Sequence, residues 1–464
     1  MSKRNKLSFG SLLEYIIVSG LLIWGFVFLC KQFTFEPNDV LKNSVLKEKN
    51  FETNVVEVVS PKGVKAYLFE DKTNPIVSIS FVFKQAGLAY DAEGKVGISN
   101  LVASLLTEGV GDYTSQQFKE RLEANAISIS FGADMDDLSG SLLTVKDKEN
   151  EAYRLLNLAL MKPRLEWWDI NRIKDEMKIA LKKQKEHPAR ALSLEVSKEI
   201  YGMHPYSRNP VGIEADIENI SKVDLQRFIR DNFSKENLIV GVAGDISKEE
   251  LVVVLDKIFG DLSDVRKNKV ELSKVDLSFD GRVRNIEREV AQGICNFVNK
   301  GAARLDEDFY PLYIANHIFG GSGLNSRLSM IVREDKGLAY SIYSYLSLAE
   351  KSPLIMGSFY ANPQNLQKVL GIVKKEWLKM GTQGVSSKEL NEAKNYLISS
   401  YNLRFASTAD IANILAQMQR ENLGIDFLKV RNNLVEAVSV DDVKAAAQKF
   451  FGKDNTIFVC IGEK

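Results

Sequence analysis

Hydrophobic and polar positions change period several times along the chain, and each change marks an element. Beyond residue 50, apolar stretches at 55–59 and 64–69 flank a Pro61-Lys62-Gly63 turn and a third occupies 76–83, which predicts three strands. After Gly97 the period lengthens. Ile98, Leu101, Val102, Leu105 and Leu106 fall at i, i+3, i+4, i+7 and i+8, the stripe of a helix with one buried face. Thr114 and Gln117 form a capping box for a helix over 115–123; alternating strand candidates at 127–132 and 139–145 follow, then long helices from about 149 to 186. Strand-like stretches return at 282–286 and 294–298. Strands grouped with helices, instead of strictly alternating with them, predict an α+β fold with helices layered on a mainly antiparallel sheet.

The pattern is duplicated. Ser221, Asp224, Phe233, Lys235, Asn237, Ile239 and Gly244 recur at a constant offset of 218, without a gap, as Ser439, Asp442, Phe451, Lys453, Asn455, Ile457 and Gly462. Each copy reads as a Ser N-cap, an amphipathic helix, an F-x-K-x-N turn and an apolar strand ending at Gly. Near offset 220, Ile170, Lys174 and Met177 match Leu390, Lys394 and Leu397. Two homologous halves are expected at 53–262 and 282–464, joined by a charged linker over 263–281.

Ahead of the body, Lys3, Arg4 and Lys6 precede an uninterrupted apolar run from Tyr15 to Cys30. Residues 1–33 therefore read as a signal-anchor or transmembrane segment, and the polar, irregular residues 34–52, with Pro37, as a tether. The run closes on Phe28, Leu29 and Cys30 without an A-x-A-like site, which favours an uncleaved anchor over a cleaved signal. The basic end then lies in the cytoplasm and the body on the other side of the membrane.

Composition narrows the chemistry. The 464 residues carry 61 basic and 61 acidic side chains, so no general attraction for nucleic acid or anionic lipid is implied. Cys30, Cys295 and Cys460 are widely spaced and odd in number, and neither a disulfide framework nor a Cys-based zinc site is readable from them. His187, His204 and His317 are never three or four apart, which excludes both H-E-x-x-H and H-x-x-E-H.

On the helix after Gly97, Asn100, Ala103 and Ser104 share a face off the apolar stripe, at the spacing that brings two metal ligands and a general base together. These side chains cannot do that work: neutral Asn and Ser are poor zinc ligands and Ala is no base. Together with the duplication, the helix, Gly97-Ile98-Ser99-Asn100-Leu101-Val102-Ala103-Ser104-Leu105-Leu106-Thr107-Glu108-Gly109, resembles the G-[IL]-[AS]-H-x-x-E-H-x-L-x-x-G helix of the pitrilysin/insulinase family of zinc peptidases, in its mitochondrial-processing-peptidase-like bacterial branch. The framework matches and both His and the Glu are replaced. The resemblance places the third ligand, a Glu in the family, near Ala180 or Leu181, where no acid stands; Glu176 nearby reads as a solvated helix residue. No metal ligand is expected on this chain.

The second half carries a different part of the resemblance. Phe319-Gly320-Gly321-Ser322-Gly323-Leu324-Asn325-Ser326-Arg327-Leu328 and the block from Ile331 through Arg333 to Tyr340 and Ser341 look like the family's glycine loop, S-R-L and R-x(4)-L-x-Y elements. The resemblance implies that Arg333 and Tyr340 face the peptidase chamber, holding the substrate backbone and donating toward the developing oxyanion. It also implies that Gly320, Gly321 and Gly323 lie near the substrate entrance. G-G-x-G without Lys or a Rossmann strand is a weak phosphate signal. His204, His187 and His317 read as structural.

The expected function is a non-catalytic, substrate-positioning subunit of a heteromeric zinc endopeptidase, with zinc on a homologous partner and a peptide or unfolded protein as substrate. It would be anchored in a bacterial inner membrane with the body periplasmic, or periplasmic or secreted if the segment is cleaved. The alternative is a membrane-tethered peptide-binding or scaffold protein with no role in proteolysis.

Overall fold

The computed structural model describes residues 54–462. The anchor expected over residues 1–33 and the tether over 34–52 lie outside the described residues. Among those described, no helix is long and apolar enough to cross a membrane.

The fold is α+β with two sheets. Strands β1 (Val55–Val59), β2 (Lys65–Glu70), β3 (Ile76–Phe83), β4 (Ser128–Ala133), β5 (Leu138–Val145) and β6 (Leu238–Gly244) form a six-stranded sheet in the order β1-β2-β6-β3-β5-β4. Strands β7 (Val283–Glu287), β8 (Gly293–Lys300), β9 (Ala339–Ala349), β10 (Ser352–Ala361) and β11 (Ile457–Gly462) form the second, in the order β7-β11-β8-β10-β9. Apart from β1 the two orders correspond strand for strand. Each has one parallel pair, β2 with β6 and β7 with β11, among antiparallel neighbours.

The duplication extends to side-chain detail. Ser221 and Ser439 both cap their helices through capping boxes with Asp224 and Asp442. Lys174 donates to the carbonyl of Glu218 and Lys394 to that of Glu436, so matched lysines satisfy carbonyls at matched positions. Gly140 lies opposite Phe81 and Gly357 opposite Phe297. A Cβ at either glycine would enter the phenyl ring at 2.2 or 2.0 Å, so each sheet stacks its central Phe over a bare backbone.

The helices that matter here are α1 (Ile98–Leu105), α2 (Trp167–Glu186), α3 (Pro188–Tyr201), α4 (Phe309–Asn316), α5 (Leu366–Gln383), α6 (Thr408–Arg420) and α7 (Phe427–Glu436). The helical pattern expected over 149–186 divides at 162–166, where Pro163 cannot continue a helix and Leu165 takes φ +50°. The halves exchange helices. From the first half, α3 places Leu192 and Val196 on Ile294, Val298, Val459 and Ile461 of the second sheet. From the second, α6 places Ile411, Ile414 and Leu415 against Val55 and Ala243 of the first. A polar latch adds to this clasp: Arg420 pairs with Asp137, the Tyr206 hydroxyl donates to Asp136, and the Lys351 amide donates to that hydroxyl at 3.1 Å.

One expectation is corrected. Cys295 and Cys460, 165 residues apart, form a disulfide. They are directly opposed on the antiparallel strands β8 and β11, with Cα atoms 4.0 Å apart. Strand pairing, invisible in the spacing, brings them together.

Candidate functional site

Helix α1 begins abruptly, and the chain invests in that beginning. Gly97 takes φ +109°, and a Cβ there would meet the Gly212 Cα at 3.1 Å. The buried Asp91 carboxylate accepts from the Gly97 amide at 2.8 Å and from the Ser99 amide and hydroxyl at 3.3 and 3.2 Å, satisfying donors a helix start leaves open. Burial pushes the Asp91 carboxyl up to about 7 against the pull of these donors and of Arg208. Arg208 in turn donates to the carbonyls of Leu88, Ala89 and Asp91. Neither Asp91 nor Arg208 stands out in the sequence, because their partners are backbone groups fixed only by the fold.

The three positions all lie on α1 but meet different surroundings. The Asn100 amide donates to the Pro210 carbonyl, Ala103 is buried in the core of the first half, and Ser104 is exposed. On α2, Leu181 is buried, Ala180 is half-buried, and Glu176 pairs with Arg172 at 2.8 Å. Arg172 and Lys119 also hold the buried Glu108. Burial works to raise the Glu108 carboxyl, but Ser115, Lys119 and Arg172 outweigh it and hold it below the usual range. Among the described residues, no group of three or more His, Cys, Asp or Glu could hold a metal ion.

The histidines lie apart, in separate local settings. The His204 ring accepts from the Tyr206 amide at 3.2 Å, and His187 opens α3. His317 is buried, stacked 5.1 Å from Tyr396, and its burial lowers the imidazole to about 4.

The glycine and Arg/Tyr block follows α4. Two π-helical turns, His317–Gly321 and Met330–Asp335, flank the loop; such turns are frequent at functional sites. Gly320 is buried, and a Cβ on it would strike the Ser344 hydroxyl at 2.4 Å, so it is the point where this turn meets β9. Gly321 and Gly323 are exposed, and Gly323 takes φ +64° with open space around it. Arg327 anchors the loop with a two-pronged bond to Glu389 at 2.7 and 2.9 Å, and it also donates to the Gly384 carbonyl. This Arg is structural, and only the fold reveals its partners.

Arg333 and Tyr340 sit at the two ends of a tight turn. The Gly337 amide bonds the Arg333 carbonyl at 3.1 Å, the Leu338 amide bonds the Val332 carbonyl at 2.9 Å, and Gly337 supplies the required φ of +59°. The backbone is thus fixed while the side chains stay accessible. Arg333 contacts Glu334 only at 3.5 Å with both half exposed, and Tyr340 is 77% exposed. Tyr340 is the second residue of β9, an edge strand on which Tyr343 and Tyr345 are also exposed.

Comparison with known proteins agrees with this geometry. Residues 219–397 match the family model described as the peptidase M16 inactive domain. The non-peptidase homolog YmxG of Helicobacter pylori is 23% identical over 378 residues, covering 81% of this chain and 86% of that protein. The uncharacterized zinc protease YmxG of Bacillus subtilis is 28% identical over 295 residues, 62% of this chain and 70% of that one. The crystal structure of a peptidase M16 inactive domain from Pseudomonas fluorescens superposes with a TM-score of 0.83 at 25% identity, covering 89% of this chain and 98% of that one. With its two clasped sheets, its α1 without metal ligands and its exposed Arg333–Tyr340 turn, the chain resembles the M16 peptidases, whose inactive-domain model it matches over residues 219–397.

Proposed function

We propose that this chain is the non-catalytic, substrate-positioning subunit of a two-chain zinc endopeptidase. A homologous partner with an intact H-x-x-E-H helix holds the zinc, and this chain presents Arg333 and Tyr340 to that site in trans. The observation that carries the reading is an asymmetry. Where a ligand and the general base would stand, Asn100 is spent on a backbone carbonyl and Ala103 on the core. The Arg333–Tyr340 turn, by contrast, is built with a rigid backbone and accessible side chains.

In that arrangement the Arg333 guanidinium, always charged, holds a substrate carbonyl, and the Tyr340 phenol donates to the oxyanion that develops as zinc-bound water attacks. Edge strand β9, which continues from Tyr340, offers its free side to an extended peptide. Gly321 and Gly323 leave the approach open, while Gly320 acts one step back, by seating the loop on β9. Similarity to an inactive peptidase domain and to the non-peptidase homolog of Helicobacter pylori supports a chain without zinc of its own. The Cys295–Cys460 disulfide supports a body outside the cytoplasm, in keeping with an N-terminal anchor in a bacterial inner membrane.

The test is co-expression with a homologous chain that carries H-x-x-E-H. A stable complex with peptidase activity that neither chain has alone supports the reading. A complex that forms but cleaves equally well without this chain's Arg333 and Tyr340 would favour a scaffold role.

A further inference from the structure

A cavity of about 140 Å³ lies in the second half, among α4, the turn at 400–405, α6 and α7. Its walls are aromatic and cationic. The Arg304 guanidinium sits 4.3 Å from the Phe309 ring centre and 5.1 Å from that of Phe427, and the Arg431 guanidinium sits 4.1 Å over Tyr401. Stacking of this kind holds a guanidinium plane in place while leaving its edge donors free. Arg431 is only 5% exposed, and it spends one nitrogen, Nη1, on the Leu397 carbonyl and the Asn432 side chain. Among the described residues, no carboxylate pairs with it. Arg404, exposed at the rim, also lies over Tyr401.

The charges in this lining do not balance. Arg304, Arg404 and Arg431 face a single acid, Glu421, which already pairs with Arg304 at 3.1 Å; three positive charges against one negative leave +2. A buried guanidinium without a counter-ion is costly, and an anion entering the cavity relieves that cost. Ile414, Met418 and Leu423 form an apolar part of the remaining wall, and Tyr310, Tyr313 and Gln417 complete it. A cavity of this size admits roughly a benzene-sized group, so the guest is small, negative at one end and apolar at the other. The cavity shares Arg304, Leu348, Gln417 and Glu421 with a larger cleft of about 670 Å³, which is walled by Lys84 and Asp136 of the first half as well as by the second. A chain leading away from a bound group therefore has a path between the halves.

We propose that this cavity is a carboxylate site for the C-terminal residue of a peptide. Its carboxylate is held by Arg304 and Arg431, its apolar side chain lies against Met418 and Leu423, and its preceding residues leave through the inter-half cleft. The site goes beyond the trans-subunit reading and stands whether or not the complex cleaves peptides. A phosphate dianion fits less well, because Glu421 stays inside the same lining.

The chemistry is shared by free small carboxylates, so the experiment has several arms. The full chain is titrated calorimetrically with a short peptide ending in leucine as the free acid, with the same peptide amidated, with 4-methylpentanoate, and with inorganic phosphate. The free-acid peptide should bind at least about tenfold more tightly than the amide, the difference expected from losing a charge-assisted contact. 4-Methylpentanoate should compete for the site more weakly than the peptide. Arg431→Gln should weaken the acid at least about tenfold and leave the amide unchanged. Because Arg431 is buried, Arg404→Gln at the exposed rim provides a second variant that spares the fold, with a several-fold loss for the acid alone. Equal binding of acid and amide, or no binding of either, overturns the proposal. So does phosphate binding more tightly than the peptide, or 4-methylpentanoate binding as tightly as the peptide.

Discussion

Replacing Gly241 by Ala should loosen the clasp between the halves. Gly241 lies on β6 directly under α6, and a Cβ there would sit 2.2 Å from the Ala412 carbonyl oxygen and 2.6 Å from the Ala416 nitrogen. Both obstacles are helix backbone, so no side chain can swing aside. To restore a contact of about 3.4 Å, α6 must withdraw by roughly 1 Å, and a gap of that size forfeits about a quarter to a half of each dispersion contact. Ile411, Ala412, Ile414, Leu415 and Met418 are all buried on this face. Spread over those residues, the expected loss is about 2–4 kcal/mol, at or above the usual range for an overpacked core. The withdrawal also strains the bond from the Gln419 amide to the Val240 carbonyl, 2.7 Å in the native chain. The assay is urea denaturation paired with hydrogen exchange of the α6 amides. Gly371→Ala serves as the control: Gly371 lies exposed on α5 with nothing within 4 Å of an added Cβ, and the change should stabilise by about 1 kcal/mol through helix propensity alone. A Gly241→Ala protein within about 0.5 kcal/mol of the native chain, with unchanged exchange on α6, would refute the close-approach argument.

Further outcomes follow from single groups. In denaturant only Cys30 should react with a thiol reagent until a reductant is added, and the Cys295→Ala/Cys460→Ala chain should lose about 2–5 kcal/mol of stability; three reactive thiols without reduction would contradict the pairing. His317 is held at about 4 in the folded chain against an ordinary value of 6.5, so it favours folding above pH 6.5 and that contribution is lost as the pH falls toward 4. At the acid end the loss approaches about 3 kcal/mol. Comparing the native chain with His317→Gln at pH 7 and pH 4.5 isolates it, and identical pH slopes in the two proteins would rule it out.

Much of this molecule was legible in the sequence, for identifiable reasons. Strand and helix periods located β1 to β5 and α1 within a residue or two, because each buries one regular face. The 218-residue offset surfaced as paired Ser caps, which are local and so readable. That Asn100, Ala103 and Ser104 fall on one helix followed from its periodicity, but the burial of Ala103 in the core did not. What stayed hidden depends on distant pairing. Cys295 meets Cys460 only because β8 lies beside β11, and Arg327 meets Glu389 only across the second half. The exchange of α3 and α6 between sheets has no sequence sign, since each carries an ordinary apolar stripe that does not name its partner. The Arg304 and Arg431 cavity was invisible for the same reason, its lining being drawn from segments more than a hundred residues apart.

The central claim is that catalysis is completed in trans by Arg333 and Tyr340. The most direct measurement is the turnover of a complex reconstituted from this chain and a homologous H-x-x-E-H partner, with zinc content and complex stability recorded beside it. Arg333→Ala and Tyr340→Phe should each lower kcat by about a hundredfold or more, as loss of an oxyanion or substrate donor does, with zinc occupancy and assembly unchanged. Activity undiminished in both variants, at equal zinc and equal assembly, would contradict the account.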